Sequence, residues 1–252
     1  MGKQIVSKQR VADYGEVYTQ EREVNAMLDL VKSQTESLDK TFLEPACGTG
    51  NFLLEILRRK LVVAAKNYQS PKKAKGKKVP TQYSYERDLV LAVSSLYGIE
   101  LLADNVRRCH QRLLDYAVQE YQRLFPDSIK TECIKTIECL LTLNIVHGNA
   151  LTMEVAAERL KSPIIGSAEE QAYAKKAIMF SHWGFIEYKV KRHQFLYWGL
   201  VDGQYSATAR NMPNNKVSDP YRSVDQESFC HFLLIGETYE EEFRNVQANL
   251  QP

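Results

Sequence analysis

The chain has 252 residues, 33 Lys and Arg against 31 Asp and Glu, a net charge of +2 and 44% hydrophobic residues. A chain of this size can bury enough surface to fold without disulfides, and its near-balanced charge excludes a protein that coats nucleic acid over its whole surface. No apolar run approaches the ~18 residues of a membrane-spanning helix. The opening MGKQIVSKQR lacks the apolar centre of a signal peptide, and Val6 stands where a myristoylation pattern needs Ser or Thr. The five cysteines (Cys47, Cys109, Cys133, Cys139, Cys230) never form CxxC, which argues against structural zinc. The expectation is reduced thiols in a cytoplasmic protein with no bound metal and no membrane partner.

Residues 21–37 open with Glu21 and Glu23 and place Val24, Met27, Leu28 and Val31 at helical spacing, which predicts an amphipathic helix. A short strand follows over Thr41–Glu44, then the small-residue turn Pro45–Gly50, then a helix from Asn51 carrying Phe52, Leu53, Ile56 and Leu57. Strand, glycine turn and helix in that order open a nucleotide-type α/β fold. The stretch Arg58–Lys78 holds nine Lys or Arg and no acid. It reads as a solvated basic insertion, about 66–82, with an arm that contacts phosphates as the alternative. Tyr85, Leu89, Ala92 and Val93 predict another helix, and Tyr97–Glu100 a second strand.

Asp104 is expected to cap a long helix whose apolar stripe (Val106, Cys109, Leu113, Ala117, Tyr121) makes Cys109 a core residue. Residues 130–143 predict a helix, Asn144–His147 a third strand and Ala177–Phe180 a fourth. The aromatic-rich stretch 185–201 predicts a hairpin, 202–222 a loop and 238–249 a final helix. The resulting expectation is an α/β fold with a mostly parallel sheet and helices on both faces. One domain would cover 1–182, and a C-terminal extension of hairpin plus helix would cover 183–252.

The strongest chemical signal is Phe42-Leu-Glu-Pro-Ala-Cys-Gly-Thr-Gly-Asn-Phe52. Gly48 and Gly50 permit a tight turn and close approach of a ligand to the main chain, and the helix start beyond them supplies unpaired N–H groups. This run resembles the cofactor loop of S-adenosylmethionine-dependent methyltransferases. Its Glu-Pro-Ala-Cys-Gly start is most similar to the adenine-specific DNA methyltransferases. The resemblance covers roughly 11–152 and implies a Rossmann-like class I methyltransferase fold. It assigns Glu44, Pro45, Ala46, Cys47, Gly48, Gly50, Asn51 and Phe52 to S-adenosylmethionine binding. Glu100, ending the second strand, would accept hydrogen bonds from the ribose hydroxyls, with Leu101 beside the adenine. Asn149, in Gly148-Asn-Ala150, replaces the usual Asp, and its amide oxygen would accept from the adenine amine, with Ala150 adjacent. Tyr14-Gly-Glu-Val-Tyr-Thr19 resembles the family's amino-terminal element, in which Tyr18 and Thr19 would hold the methionine end; an ordinary helix entry capped by Thr19 is the plainer reading.

The catalytic tetrapeptide of adenine methylation, Asn/Asp/Ser-Pro-Pro-aromatic, is absent, because no two of the eight prolines are adjacent. Ser181 and Trp183, just after the expected fourth strand, are the stand-ins: Ser181 to accept from a target amine, Trp183 to stack on a flipped base. A packed aromatic turn is the competing reading. Ser218-Asp-Pro-Tyr221 imitates the tetrapeptide only in letters. Lys189, Lys191, Arg192 and His193 suit nucleic acid or a solvated strand edge. The extension is too short for a target-recognition domain, so a partner protein would supply recognition, as in a restriction-modification or defence system. Three functions follow: a DNA adenine methyltransferase, a non-catalytic cofactor-binding module or partner subunit, and a methyltransferase of RNA or protein.

Overall fold

A computed structural model describes residues 19–69, 80–159, 167–197 and 229–251, together with Arg10, Glu16 and Leu200. Tyr18, the centre of the basic stretch, Trp198, the segment 202–222 and the Ser218–Tyr221 look-alike lie outside the described residues.

Helix α1 (Glu21–Asp29) buries Val24 and Leu28 and leads, through a connection that holds the single helical turn Lys32–Thr35, to strand β1 (Phe42–Glu44). Its N-cap is Gln20 rather than Thr19, and the Glu23 carboxylate accepts from the Gln20 N–H at 3.0 Å. Helix α2 runs from Asn51 to Gln69, followed by α3 (Gln82–Ser94) and β2 (Leu96–Glu100). Helices α4 (Ala103–Leu124) and α5 (Thr131–Asn144) then lead to β3 (Ile145–Asn149) and the two-residue β4 (Glu154–Val155). The sheet order is β1-β2-β3-β4; β1, β2 and β3 are parallel and β4 is antiparallel. The chain is thus α/β, with a mixed, mostly parallel sheet flanked by helices, an arrangement compatible with a Rossmann-like fold.

Burial on β2 explains the two sides of the sheet. Leu96 joins the main core with Leu53, Leu57, Leu89, Val106 and Leu140, beneath the helices that connect the parallel strands. Tyr97 and Ile99 point the other way, into a cluster with Ile178, Phe180, Phe195 and Tyr197. Alternation along a fully buried strand requires an apolar cover on each face. On the second face that cover includes the hairpin of β5 (Met179–Ile186) and β6 (Lys189–Leu196). The Tyr97 ring lies 5.3 Å from Phe180, and its hydroxyl donates to the Ser181 carbonyl.

Several expectations change here. The expected fourth parallel strand is the first strand of this antiparallel hairpin, which forms its own sheet with β7 (Cys230–His231). Apolar residues at 177–180 look alike in either setting; the alternation shared with 189–196 decides. Arg58–Gln69 is helix, not solvated insertion, and Lys60 within it is completely buried. Asp104 does not cap its helix: Leu102 is the N-cap, and the Asp104 carboxylate pairs with Arg10 at 2.7 Å. That bond holds its pKa below the ordinary value.

The boundary expected at 182/183 falls inside β5. The C-terminal residues Phe232, Ile235, Phe243 and Leu250 belong to the main core, the last two on or just beyond helix α7 (Glu240–Ala248). A further helix, α6 (Ala168–Lys176), precedes β5. Cys109 is fully buried, as its stripe position implies. Among the described residues no helix is long and apolar enough to cross a membrane, and no group of three or more His, Cys, Asp or Glu could hold a metal.

His110 on α4 bonds the Ile145 carbonyl at 2.9 Å, and burial lowers its pKa from 6.5 to about 4. The unfolded chain therefore binds more protons between those values, so stability falls as pH drops from about 6.5 to about 4. The loss should reach about 2 kcal/mol, less than the full shift implies because the ring borders solvent. Thermal melts across this window should show it, and His110→Gln should flatten the slope.

Candidate cofactor site

The glycine loop owes its shape to two residues in left-handed backbone: φ is +52° at Gly48 and +84° at Gly50. Non-glycine residues rarely adopt that region. The Gly50 N–H closes the turn on the Cys47 carbonyl at 2.8 Å, and Leu54 N–H returns to Gly50 O at 2.8 Å, starting α2. The intervening first-turn N–H groups have no helical partner and carry the positive end of the helix dipole.

The strand-end acid meets this loop directly. Glu100 Oε2 accepts from the Gly48 N–H at 2.9 Å, across 52 residues of sequence. Its Oε1 accepts from the Leu102 N–H at 2.9 Å and, more weakly, from Asn105 Nδ2 at 3.4 Å. The parallel pairing of β1 with β2 makes this possible, since Glu44 sits opposite Gly98 and both strands end at the same edge. Leu101, after the acid, is 48% exposed, an apolar side chain left open beside the carboxylate.

Other elements brace the loop. Arg112 Nη1 on α4 donates to the Thr49 carbonyl, to Thr49 Oγ1 at 3.0 Å and to Asn51 Oδ1 at 2.9 Å. Asn51 Nδ2 donates to the Thr19 carbonyl at 3.1 Å, so the amino-terminal element lies against the start of α2. Asn105 Nδ2 also donates to Glu16 Oε1 at 2.8 Å, and Glu16 pairs with Arg10. Glu16, Asn105 and Arg112 were not legible beforehand. Glu16 and Arg112 are polar residues with nothing in their spacing to single them out, and Asn105 is a buried polar residue on the inward side of α4.

The expected residues divide into groups. Thr19, Glu44, Gly48, Gly50, Asn51 and Glu100 gather at one edge of the sheet. Pro45 and Ala46 are exposed on the loop, and Phe52 packs partly against the core. Burial raises the pKa of Glu44, whose carboxylate accepts from the Ala46 N–H at 3.4 Å. The Cys47 N–H reaches the Ile99 carbonyl, and its buried thiol lies 3.9 Å from the Gly48 carbonyl oxygen. A hydrogen bond with Cys109, together with burial, pushes its thiol well above the ordinary pKa.

Asn149 is engaged within its own turn. Its Oδ1 accepts from the Leu151 N–H at 2.9 Å and the Thr152 N–H at 3.3 Å, so both acceptor positions of that oxygen serve the turn after β3. Neighbouring Ala150 packs against the Tyr97 cluster. The strand end is tied to the site by another residue, His147, whose Nε2 bonds the Leu101 carbonyl at 3.0 Å.

The stand-in catalytic residues lie within strand β5 rather than in a turn after a strand. Ser181 is 2% exposed and its hydroxyl accepts from Arg192 Nε at 2.8 Å. Trp183 is 4% exposed, 5.3 Å from the Tyr239 ring and beneath the Arg192 guanidinium. Cross-strand pairing puts both on the face that meets the helices, with Trp183 packed in the main core and Ser181 in the wall of a cavity. Arg192 points inward with them and leaves the outer cationic group of Lys189, Lys191 and His193.

No protein-family model, curated protein or solved structure matches the chain.

Proposed function

We propose that the chain binds S-adenosylmethionine between the Gly48–Gly50 turn and Glu100, and that it is a methyltransferase of the DNA adenine type, with target recognition supplied by a partner. The observation that carries this reading is the 2.9 Å bond from the Gly48 N–H to Glu100, which joins two separately expected ligand-binding segments. The residues fit the group on one geometric test: a Cβ built on Gly48 would meet nothing within 4 Å, so the space against the main chain is open.

When bound, the cofactor supplies a methyl group on a positively charged sulfur. Glu100 Oε2 accepts one bond from the loop and keeps acceptor capacity for a ribose hydroxyl. Leu101 offers apolar contact to the adenine ring. The first-turn N–H groups of α2 suit a carboxylate. The occupied Oδ1 of Asn149 leaves the adenine amine to be read by other groups. Ser181 and Trp183 do not serve the target amine in this reading; a partner supplies the polar contacts that orient it.

The burial of Ser181 and Trp183 also favours a second reading, a cofactor-binding subunit without transfer of its own. One assay separates the two. Tritiated S-adenosylmethionine is incubated with the protein and, in parallel, mixed-sequence duplex DNA, total RNA and cell extract. Label in DNA adenine is the expected result. Label confined to RNA or protein would move the substrate class, and cofactor binding with no label in any polymer would establish the subunit reading.

A further inference from the structure

A cavity of about 90 Å³ lies between β3, the β5–β6 hairpin and α7. That is several times the space one water needs. Its walls combine apolar side chains, among them Val146, Met179 and Leu250, with two guanidinium groups, Arg159 and Arg192.

The two arginines are in different states. Arg192 is fully committed: Nη1 and Nη2 hold Glu242 at 2.5 and 2.7 Å, and Nε holds Ser181. The charges of Arg192 and Glu242 therefore cancel within the wall. Arg159 spends Nη1 on the carbonyls of Ala174 and Ala177, at 3.2 and 2.6 Å, and forms no ion pair among the described residues. Glu242 also attracts Arg159 through space, but it is a single carboxylate facing two guanidinium groups, so among the described residues the wall carries one surplus positive charge, which is costly to leave uncompensated beside apolar sides. Burial keeps Arg159 below its ordinary pKa, the sign of that cost. The side chain of Glu242 is 44% exposed, so the cavity reaches solvent at that edge.

We propose that this cavity binds a small aliphatic monocarboxylate, with Arg159 as its counter-ion. A monoanion neutralises the surplus charge, whereas a phosphate dianion would leave a charge of the opposite sign. The amide of Gln194 in the wall can donate to a carboxylate, and Val146, Val155, Met179 and Leu250 suit a short hydrocarbon chain. The glycine loop does not line the site, although His147 in its wall reaches the Leu101 carbonyl, and the test of the site does not need the cofactor reading.

The test is calorimetric titration of the full chain with sodium butanoate, butan-1-ol and inorganic phosphate at matched ionic strength. Butanoate should bind at one site, with butanol and phosphate weaker by about tenfold or more, since the charged hydrogen bond is lost or the charge mismatched. Arg159→Met should lower butanoate affinity by about tenfold or more. Ala157→Trp, at the exposed rim, should block entry without disturbing the core. Absence of butanoate binding, equal binding of butanoate and butanol, or unchanged affinity in Arg159→Met would overturn the proposal. Should Arg159→Met fail to fold, full butanoate affinity in Ala157→Trp would overturn it alone.

Discussion

Lys60→Met is expected to lose about 3–5 kcal/mol of folding stability, the largest effect of any substitution considered for this chain. The ammonium group is completely buried and donates to the carbonyls of Ser37, Leu38 and Lys40 and to Ser95 Oγ, at 2.9, 3.1, 2.6 and 2.8 Å. It also lies 5.4 Å from the Phe42 ring centre. Methionine fills a similar volume but donates nothing, so several buried acceptors would lose their partner at about 1–3 kcal/mol each, softened by local relaxation. Those carbonyls belong to the segment that delivers the chain into β1, and β1 delivers it into the glycine loop. A urea titration should show a lowered midpoint with an unchanged slope. A loss below about 1 kcal/mol would mean that the ammonium group is not the organiser of this segment.

Gly50→Ala should cost about 2–4 kcal/mol and weaken cofactor binding together with stability. Two separate penalties contribute. The residue sits at φ +84°, and a Cβ there would stand 2.5 Å from Cys109 Sγ. Cys109 cannot easily move, being fully buried on α4. A double-mutant cycle separates the penalties: Cys109→Ala removes the sulfur and should recover the steric part, while the backbone part persists. Strictly additive effects would show that the sulfur contact is not felt.

The portions of the site legible in the sequence are those in which local chemistry dictates geometry. Gly48 and Gly50 announce left-handed backbone, and an acid ending a buried strand announces a carboxylate at the sheet edge. Their direct hydrogen bond follows from parallel pairing of β1 and β2, which the alternation of strands and helices implies. What was not legible depends on contacts distant in sequence. Lys60 resembles any cation in a basic stretch; only the three carbonyls that converge on it make its burial affordable. Asp104 has the right residue type for a cap, but Arg10, far away in sequence, takes its carboxylate. Asn149 can accept a ligand's proton in principle, yet two backbone N–H groups of its own turn reach it first. Ser181 and Trp183 occupy the expected place in chain order, and the register of the hairpin turns both inward. In each case the residue type was informative and the tertiary partner decided its use.

In the proposed function S-adenosylmethionine sits against the glycine turn with Glu100 as its polar anchor. Titration calorimetry of the cofactor into the wild-type chain and into Glu100→Gln tests it most directly. The wild type should bind one equivalent, and Glu100→Gln, which keeps one acceptor oxygen but loses the charge, should bind about tenfold or more weakly while its melting curve remains cooperative. No heat of binding in the wild type, or equal affinity in the two proteins, would contradict the account.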